Sequence, residues 1–380
     1  MPERFAVGAA ARGFRLVACC PVPPVIWARR YFLGWLDTAD ATVARMIASL
    51  LRHWQQGLIR RCSSTIYGRS MSQPETYTPA PAGDFVLPFS MPELGVRGRV
   101  VRLDAVSARA LSAHEIPEPA GRTLGEALVL TAMLGSSLKL DGRMTLQAKA
   151  SGPLDLLTVD YYGADAERHR AGLRGYARVD ESKMAVLEER SPAFANLAGE
   201  GVLAITIEPR LGDQSYQGIV PLSSHSIGAS AEGYFQQSEQ LPTAIKLAAA
   251  PAYTPGNRQA AWRAGGIMLQ AIPEQERDED DWNRLSMFLQ TVEDIELLDT
   301  SLAPEDLLWR LFHEDAVRVH ASERLDFYCG CNTERIARVL RAYDERDRRG
   351  LADADGIIRA RCEFCGAVHA MGAQNLTPVT

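Results

Sequence analysis

Four cysteines near the C-terminus are the residues best suited to chemistry: Cys329 and Cys331 in Tyr-Cys-Gly-Cys, and Cys362 and Cys365 in Arg-Cys-Glu-Phe-Cys-Gly. Two close thiol pairs, separated by residues 332–361, can give four thiolates to one tetrahedral ion, and zinc favours that donor set. Each short pair delivers two ligands with little loss of chain entropy. Metal binding of this kind contributes on the order of 10 kcal/mol or more to a small unit that lacks its own core. The same sulfurs are what oxidants attack first. Oxidation to disulfides destroys the ligands, releases the metal and removes that folding energy in one event. His369 lies four residues beyond Cys365, but four sulfurs complete the site without it, and it reads as a surface histidine.

The two pairs are expected to oxidise in order. Cys362 and Cys365 have the Cys-x-x-Cys spacing of redox-active motifs, and their disulfide should close first. Cys329 and Cys331 flank only Gly330, so an extended backbone holds their Cα atoms near the limit of disulfide reach, and that bond should follow once the site loosens. Two weaker patterns carry little. Gly228–Gly233 lacks the Lys-Ser/Thr of a phosphate loop, and Ser224-His225-Ser226 lacks a nucleophile elbow. Trp309, His313 and Glu314 are expected to pack or pair locally at a helix end.

These thiols need a scaffold, and 380 residues allow more than one core. Hydrophobic content of 46% and charged content of 23% are those of an ordinary globular protein. Val25 to Leu36, the best candidate for a membrane span, is broken by Arg29 and Arg30 and is too short, so no membrane partner is expected. Net charge is −6, yet residues 1–70 hold ten arginines, no lysine and only three acidic residues, so the remainder is strongly acidic. Such a body repels a phosphate backbone, which argues against nonspecific nucleic-acid binding. The Arg-rich composition of the first seventy residues suggests an extension outside the fold or a targeting segment, with Met71 as an alternative start. Cys19, Cys20 and Cys62 lie in that piece and are given no role. With no cysteine between 63 and 328, the distribution points to a cytosolic metal or redox site rather than a disulfide scaffold.

From Asp84 to Pro273 the pattern is mixed α/β. Val96–Leu103 and Met144–Ala150 alternate apolar and polar residues as half-buried strands do. Leu154–Tyr162, Gly172–Val179, Val202–Ile207, Tyr216–Leu222 and Gly265–Ile272 read as further strands. Thr123–Leu138 opens with a capping box, Thr123 and Glu126, and is apolar almost all round, as a buried central helix must be. Ile227–Gln240 predicts a second helix. After the charged run Glu274–Asp281, two amphipathic helices are predicted. Trp282–Leu298 would bury Leu285, Phe288, Leu289, Val292, Ile295 and Leu298, and Pro304–His313 would bury Leu307, Leu308, Leu311 and Phe312. Helices this short are marginal without tertiary support.

The run Cys329-Gly330-Cys331-Asn332-Thr333-Glu334-Arg335 with Cys362-Glu363-Phe364-Cys365-Gly366 resembles the zinc centre of the heat shock protein 33 family. Leu138-Lys139-Leu140-Asp141-Gly142, Tyr216-Gln217-Gly218, Ser238–Thr243, Gly265–Gln270 and Leu308–His313 are similar to family segments in the same order, so the resemblance spans about Asp84 to Met371. It implies an α+β protein: a mixed core with β-sheets around a buried helix (84–273), a metastable helical linker (274–326), a zinc-binding redox-switch domain (327–373) and a tail (374–380), after an extension over 1–83. It further implies a cytoplasmic stress-response chaperone, a holdase and not an enzyme, that uses no ATP. Cys329, Cys331, Cys362 and Cys365 become zinc ligands in the reduced state and two disulfides after oxidation, which promotes homodimerisation and binding of unfolded client proteins. Leu285, Phe288, Leu289, Leu308, Leu311 and Phe312 become the switch and client surface. Two rivals remain: a dithiol oxidoreductase built on Cys362 and Cys365, which would need a thioredoxin-like βαβ setting, and a zinc-ribbon nucleic-acid binder using Arg338, Arg341, Arg346, Arg348 and Arg349. Those arginines alternate with Glu334, Asp344, Glu345 and Asp347, the pattern of a solvated, ion-paired helix.

Overall fold

The computed structural model describes residues 83–113, 115–138, 140–165, 168–187, 192–210, 214–253, 260–273, 275, 278–374 and 376. The extension, with Cys19, Cys20 and Cys62, lies outside the described residues up to position 82. The chain begins with strands β1 (Phe85–Met91) and β2 (Val96–Leu103), then helices α1 (Ala105–Leu111) and α2 (Glu118–Ser137). Strands β3 (Gly142–Ala150), β4 (Leu154–Tyr162) and β5 (Ala171–Val179) follow, then short helices α3 (Glu181–Val186) and α4 (Phe194–Ala198), and strands β6 (Gly201–Pro209) and β7 (Tyr216–Pro221). Helix α5 (Ile227–Tyr234) runs into a π-turn, Phe235–Glu239, ahead of β8 (Thr243–Ala252) and β9 (Ala261–Ala271). The linker contributes α6 (Glu279–Gln290), α7 (Asp294–Leu298), α8 (Pro304–Phe312) and two short strands, β10 (Arg318–Val319) and β11 (Glu323–Phe327). A C-terminal module holds α9 (Thr333–Leu340), α10 (Glu345–Gly350) and the hairpin β12 (Ile357–Arg361) and β13 (Val368–Gly372).

The large sheet has the order β7-β6-β3-β4-β5-β11-β1-β2-β9-β8, with β10 also paired to β1. Strands β3 to β7 form one antiparallel half, and β1, β2, β8 and β9 form the other. Helix α2 packs on strands of both halves. Beyond its first turns its sequence is apolar almost all round, which suits a helix surrounded by protein, and Leu124, Leu128, Val129, Leu130 and Met133 are buried completely or nearly so. The expected α+β class, with sheets around a buried helix, is the architecture observed.

The helix starts five residues before the position expected from Thr123. Pro117 stands at the N-cap and Pro119 within the first turn, where a missing N–H costs nothing. Thr123 instead turns its hydroxyl back to the carbonyl oxygen of Pro119 at 3.1 Å, so the pair with Glu126 is not a capping box.

The linker is docked. Phe85, Leu87, Phe89, Val96, Val100, Ile267 and Leu269 form one apolar cluster with Leu285, Leu289, Val292, Leu297, Leu307, Leu308, Leu311 and Phe312. Phe89 and Phe312 stack with centroids 6.3 Å apart. The single helix predicted over Trp282–Leu298 is two. Thr291 ends the first, and a capping box made by Glu293 and Glu296 starts the second. That break rotates Ile295 outward to 65% exposure, against the expected burial, and brings Leu297 in at 2%. Phe288 packs on the cluster only partly buried.

Candidate metal and redox centre

Strand β11 decides where the first cysteine pair stands. It lies between the two halves of the sheet, parallel to β5 through Leu325↔Ala171, Asp326↔Gly172 and Phe327↔Leu173, and antiparallel to β1 through Phe85↔Arg324 and Val86↔Glu323. Tyr328 donates its N–H to Leu173 O at 2.9 Å, and Cys329 follows directly. Asn332 then accepts from the N–H of Arg335 at 2.7 Å and starts α9. The second pair sits on the turn of the β12–β13 hairpin, where Gly366 donates to Cys362 O and Cys362 donates to Ala367 O, both at 2.8 Å. Gly366 has φ of +71°, a left-handed conformation natural to glycine.

The four sulfurs meet. Cys329 and Cys362 Sγ are 3.6 Å apart, Cys331 and Cys365 Sγ 3.4 Å, and all four lie within 4.8 Å of one another. A tetrahedral zinc with Zn–S bonds of about 2.3 Å spaces its sulfurs about 3.8 Å apart, so this cluster is compatible with zinc. His369 stays outside, its Nδ1 3.1 Å from Thr333 Oγ1. The Cys-x-x-Cys pair stands between two antiparallel strands and not at the strand-to-helix turn of a βαβ unit, which takes away the setting required by the oxidoreductase reading.

The thiols are not equivalent. Burial pushes the Cys362 thiol up, but the N–H groups of Cys365 and Phe364 and the neighbouring thiols outweigh it and hold it below the usual range. Burial raises Cys329, and burial followed by hydrogen bonds with the other thiols raises Cys331 far above the ordinary thiol. Without metal, Cys362 is therefore the favoured thiolate, consistent with earlier oxidation of its pair.

The module has a small core of its own: Ala337, Leu340, Ile358, Met371, Ala373 and Leu376. A cluster of that size cannot by itself hold a fold of this length, which is the situation in which a metal acts as a staple. Of the five arginines weighed there, Arg341 pairs with Glu334 at 3.7 Å and Arg349 with Glu345.

Residues of the core sheet that the sequence did not single out dock the module. Arg174, on β5, points its guanidinium over the Phe364 ring at 4.0 Å and puts Nη1 3.9 Å from Cys329 Sγ. It is anchored by buried Asp160 at 2.6 Å, and Asp160 also accepts from Thr145 Oγ1 at 2.6 Å. Burial opposes the Arg174 charge, yet Asp160 leads the interactions that hold its pKa above the ordinary value. Tyr328 makes an edge contact with Tyr162 and lies beneath the Arg168 guanidinium, 4.4 Å away. Arg361 donates to Ala113 O at 2.7 Å. The other two motifs weighed do nothing of the kind: Ser224 and His225 are exposed, and the Trp309 ring stacks locally on His313 at 5.3 Å.

A sheet packed on one buried helix, joined by a docked linker to a four-thiol module, defines a class of protein built around a cluster of sulfurs with the geometry to hold a metal ion. The model of the Hsp33 protein family matches residues 84–371. A 33 kDa chaperonin from Caulobacter vibrioides is 38% identical over 75% of this chain and 94% of its own length, and one from Escherichia coli is 32% identical over 75% and 90%. The crystal structure of the 33 kDa chaperonin (heat shock protein 33 homolog) from Thermotoga maritima superposes with a TM-score of 0.63 at 22% identity, covering 77% of this chain and 96% of that one. The chain belongs to the Hsp33 family and is a chaperone of that family. Among the described residues no helix is long and apolar enough to cross a membrane.

Proposed function

We propose that the chain is an oxidation-activated holdase of the cytoplasm, kept inactive by zinc on Cys329, Cys331, Cys362 and Cys365. The observation that carries this reading is the convergence of four sulfurs from two distant segments onto the end of β11, the strand through which the linker joins the sheet. Bound zinc would supply cross-linking alone, holding the thiolates and closing the module's fold.

Peroxide is the co-reactant. Each thiol pair loses two electrons and forms one S–S bond, one peroxide accepts those electrons and leaves as two waters after taking up protons, and two peroxides consume all four ligands. Cys362 starts the sequence, because its neighbours' N–H groups favour the attacking thiolate. With its ligands gone, the module falls back on a core too small to keep it folded, and the linker loses its C-terminal anchor. Leu285, Leu289, Leu308, Leu311 and Phe312, all buried while docked, together with Phe288, then become apolar surface for unfolding clients and for a second copy of the chain. Holding needs no ATP, since binding energy comes from apolar burial.

The test is a peroxide titration with mild heating that follows zinc release, free thiols and suppression of client aggregation together, in the wild type and in Cys362→Ser. The wild type should release zinc as its thiols disappear and gain protection in step. Equal protection in dithiothreitol and in peroxide would refute the switch.

A further inference from the structure

The position of β11 has a counterpart that the linker faces described above do not provide. We propose that β11 occupies a strand-binding slot between β5 and β1, and that this slot receives an extended apolar segment of an unfolded polypeptide once the linker leaves. The inference rests on the holdase reading and specifies where one client segment would sit.

The strand is held lightly for a central one. It pairs at three positions with β5 and at two with β1, and of its five residues only Leu325 is buried, at 2% exposure. Its three charged side chains are exposed, Asp326 pairing with Arg170 at 3.2 Å, and Phe327 is partly buried against the core. Pairing along β1 breaks at Pro88. The Pro88 carbonyl accepts from His320 at 2.9 Å, so this residue turns its backbone toward the linker, where proline has no N–H to give. Proline within a strand belongs at an edge. On its linker side, β1 has the sequence of a strand that tolerates being left unpaired.

The slot outlives its occupant. Both neighbouring strands keep their other partners, β4 for β5 and β2 for β1, and α2 packs chiefly on β4, β5, β8 and β9. Helix α1 packs on β5 and β11, so it closes one face of the gap. Its N-terminus is fixed by the Asp84 carboxylate, which accepts from the N–H groups of Asp104, Ala105 and Val106. Departure of β11 therefore leaves two facing rows of unpaired backbone groups, a closed apolar socket at the Leu325 position and a shallower one at Phe327.

Those rows fit one class of ligand: an extended chain running parallel to β5 and antiparallel to β1, with apolar residues two positions apart, as Leu325 and Phe327 are, among polar neighbours. Backbone hydrogen bonds carry no sequence preference, and two apolar sockets ask little of the side chains, as a client-tolerant site requires. Release is coupled to the thiols by covalent connection, since only Tyr328 separates β11 from Cys329.

A labelled peptide of residues 321–328 is titrated into the full chain, reduced with zinc and again after peroxide. Binding is expected only to the oxidised chain, and replacing leucine by aspartate in the peptide should weaken it about tenfold or more. Hydrogen exchange on the oxidised chain with an unfolded client should show new protection in fragments covering 85–91 and 171–179. Equal binding of both peptides, no binding of either, or protection confined to other fragments overturns the slot. Protection of the same fragments that rises with protein concentration in the absence of client would assign the slot to a second copy and also overturn the proposal. An oxidised chain that suppresses aggregation without protecting these fragments refutes the slot and leaves the holdase reading intact. Peptide binding without suppression does the reverse.

Discussion

Replacing Arg174 tests whether the core sheet holds the thiol module in place. The guanidinium serves two masters: Asp160 on β4, at 2.6 Å through Nη2 and 2.8 Å through Nε, and the Phe364 ring and Cys329 sulfur of the module. Arg174→Met alone leaves Asp160, at 2% exposure, with Thr145, Tyr162 at 3.3 Å and Arg143 at 3.9 Å. Breaking a buried pair on one side costs about 3 kcal/mol or more, and that loss would fall on the whole core. Adding Asp160→Asn removes the stranded charge and should recover most of it. The double variant then isolates docking, where the lost cation–π contact is worth about 1 kcal/mol, or about a fivefold larger population of undocked module. In the reduced, zinc-loaded protein, the rates of limited proteolysis within residues 327–373 and of Cys329 modification should rise by that factor, while the melting of the core returns close to wild type. Rates in the double variant equal to those of the wild type would refute the docking role.

Two further perturbations reach the same switch from elsewhere. A Cβ on Gly172 would lie 2.5 Å from Tyr328 Cβ, so Gly172→Ala must displace the residue joining β11 to Cys329; overpacking of this kind costs about 1–3 kcal/mol, and peroxide should consume the Cys329 and Cys331 thiols faster than in wild type. Half-buried Glu126 on α2 has its pKa pushed up to about 7, first by burial and then by Asp294 of the linker helix α7. A carboxyl raised above its ordinary 4.5 adds stability that is fully present below that pH and is lost as pH rises through about 7. Docking of residues 294–298, followed by hydrogen exchange, should therefore weaken across that interval, and Glu126→Gln should flatten the dependence.

What could be read from the sequence divides along physical lines. Strands β2 and β3 declared themselves by alternation, β4 to β7 by the turn residues between them, α2 by a surface apolar almost all round, and the site by cysteine spacing, because each signal is local. Strand β8 did not, since Leu-Ala-Ala-Ala is poor in the β-branched and aromatic residues that mark strands. Strand β1 is a continuous apolar run with Pro88 at its centre. In Glu323-Arg324-Leu325-Asp326-Phe327 two apolar residues stand among three charged ones, and this segment becomes a strand because two open sheet edges recruit it. Ile295 was misplaced because a capping box was read as the interior of one helix. The Arg174, Asp160 and Phe364 contact escaped notice for a related reason: its partners stand up to 204 positions apart and leave no periodic trace.

The same division separates the parts that stay folded from the part that switches. Strands β2 to β7 and α2 carry their own signals, and the core cluster they belong to contains no residue of the module. Strand β11 and the module lack such signals and depend on each other. In the proposed switch, the module's six buried residues need the metal, the metal needs Cys329 held at the end of β11, and β11 has one buried side chain and a few ladder bonds to keep it in the sheet. Each is stable only while the others are in place, which makes the group cooperative and gives it two states. Loss of two electrons from any one thiol pair removes a member of that set. The response proposed for the chain would then be release of the whole group rather than a graded loosening, with a threshold set by how tightly Arg174, Tyr328 and Leu325 are held by the sheet.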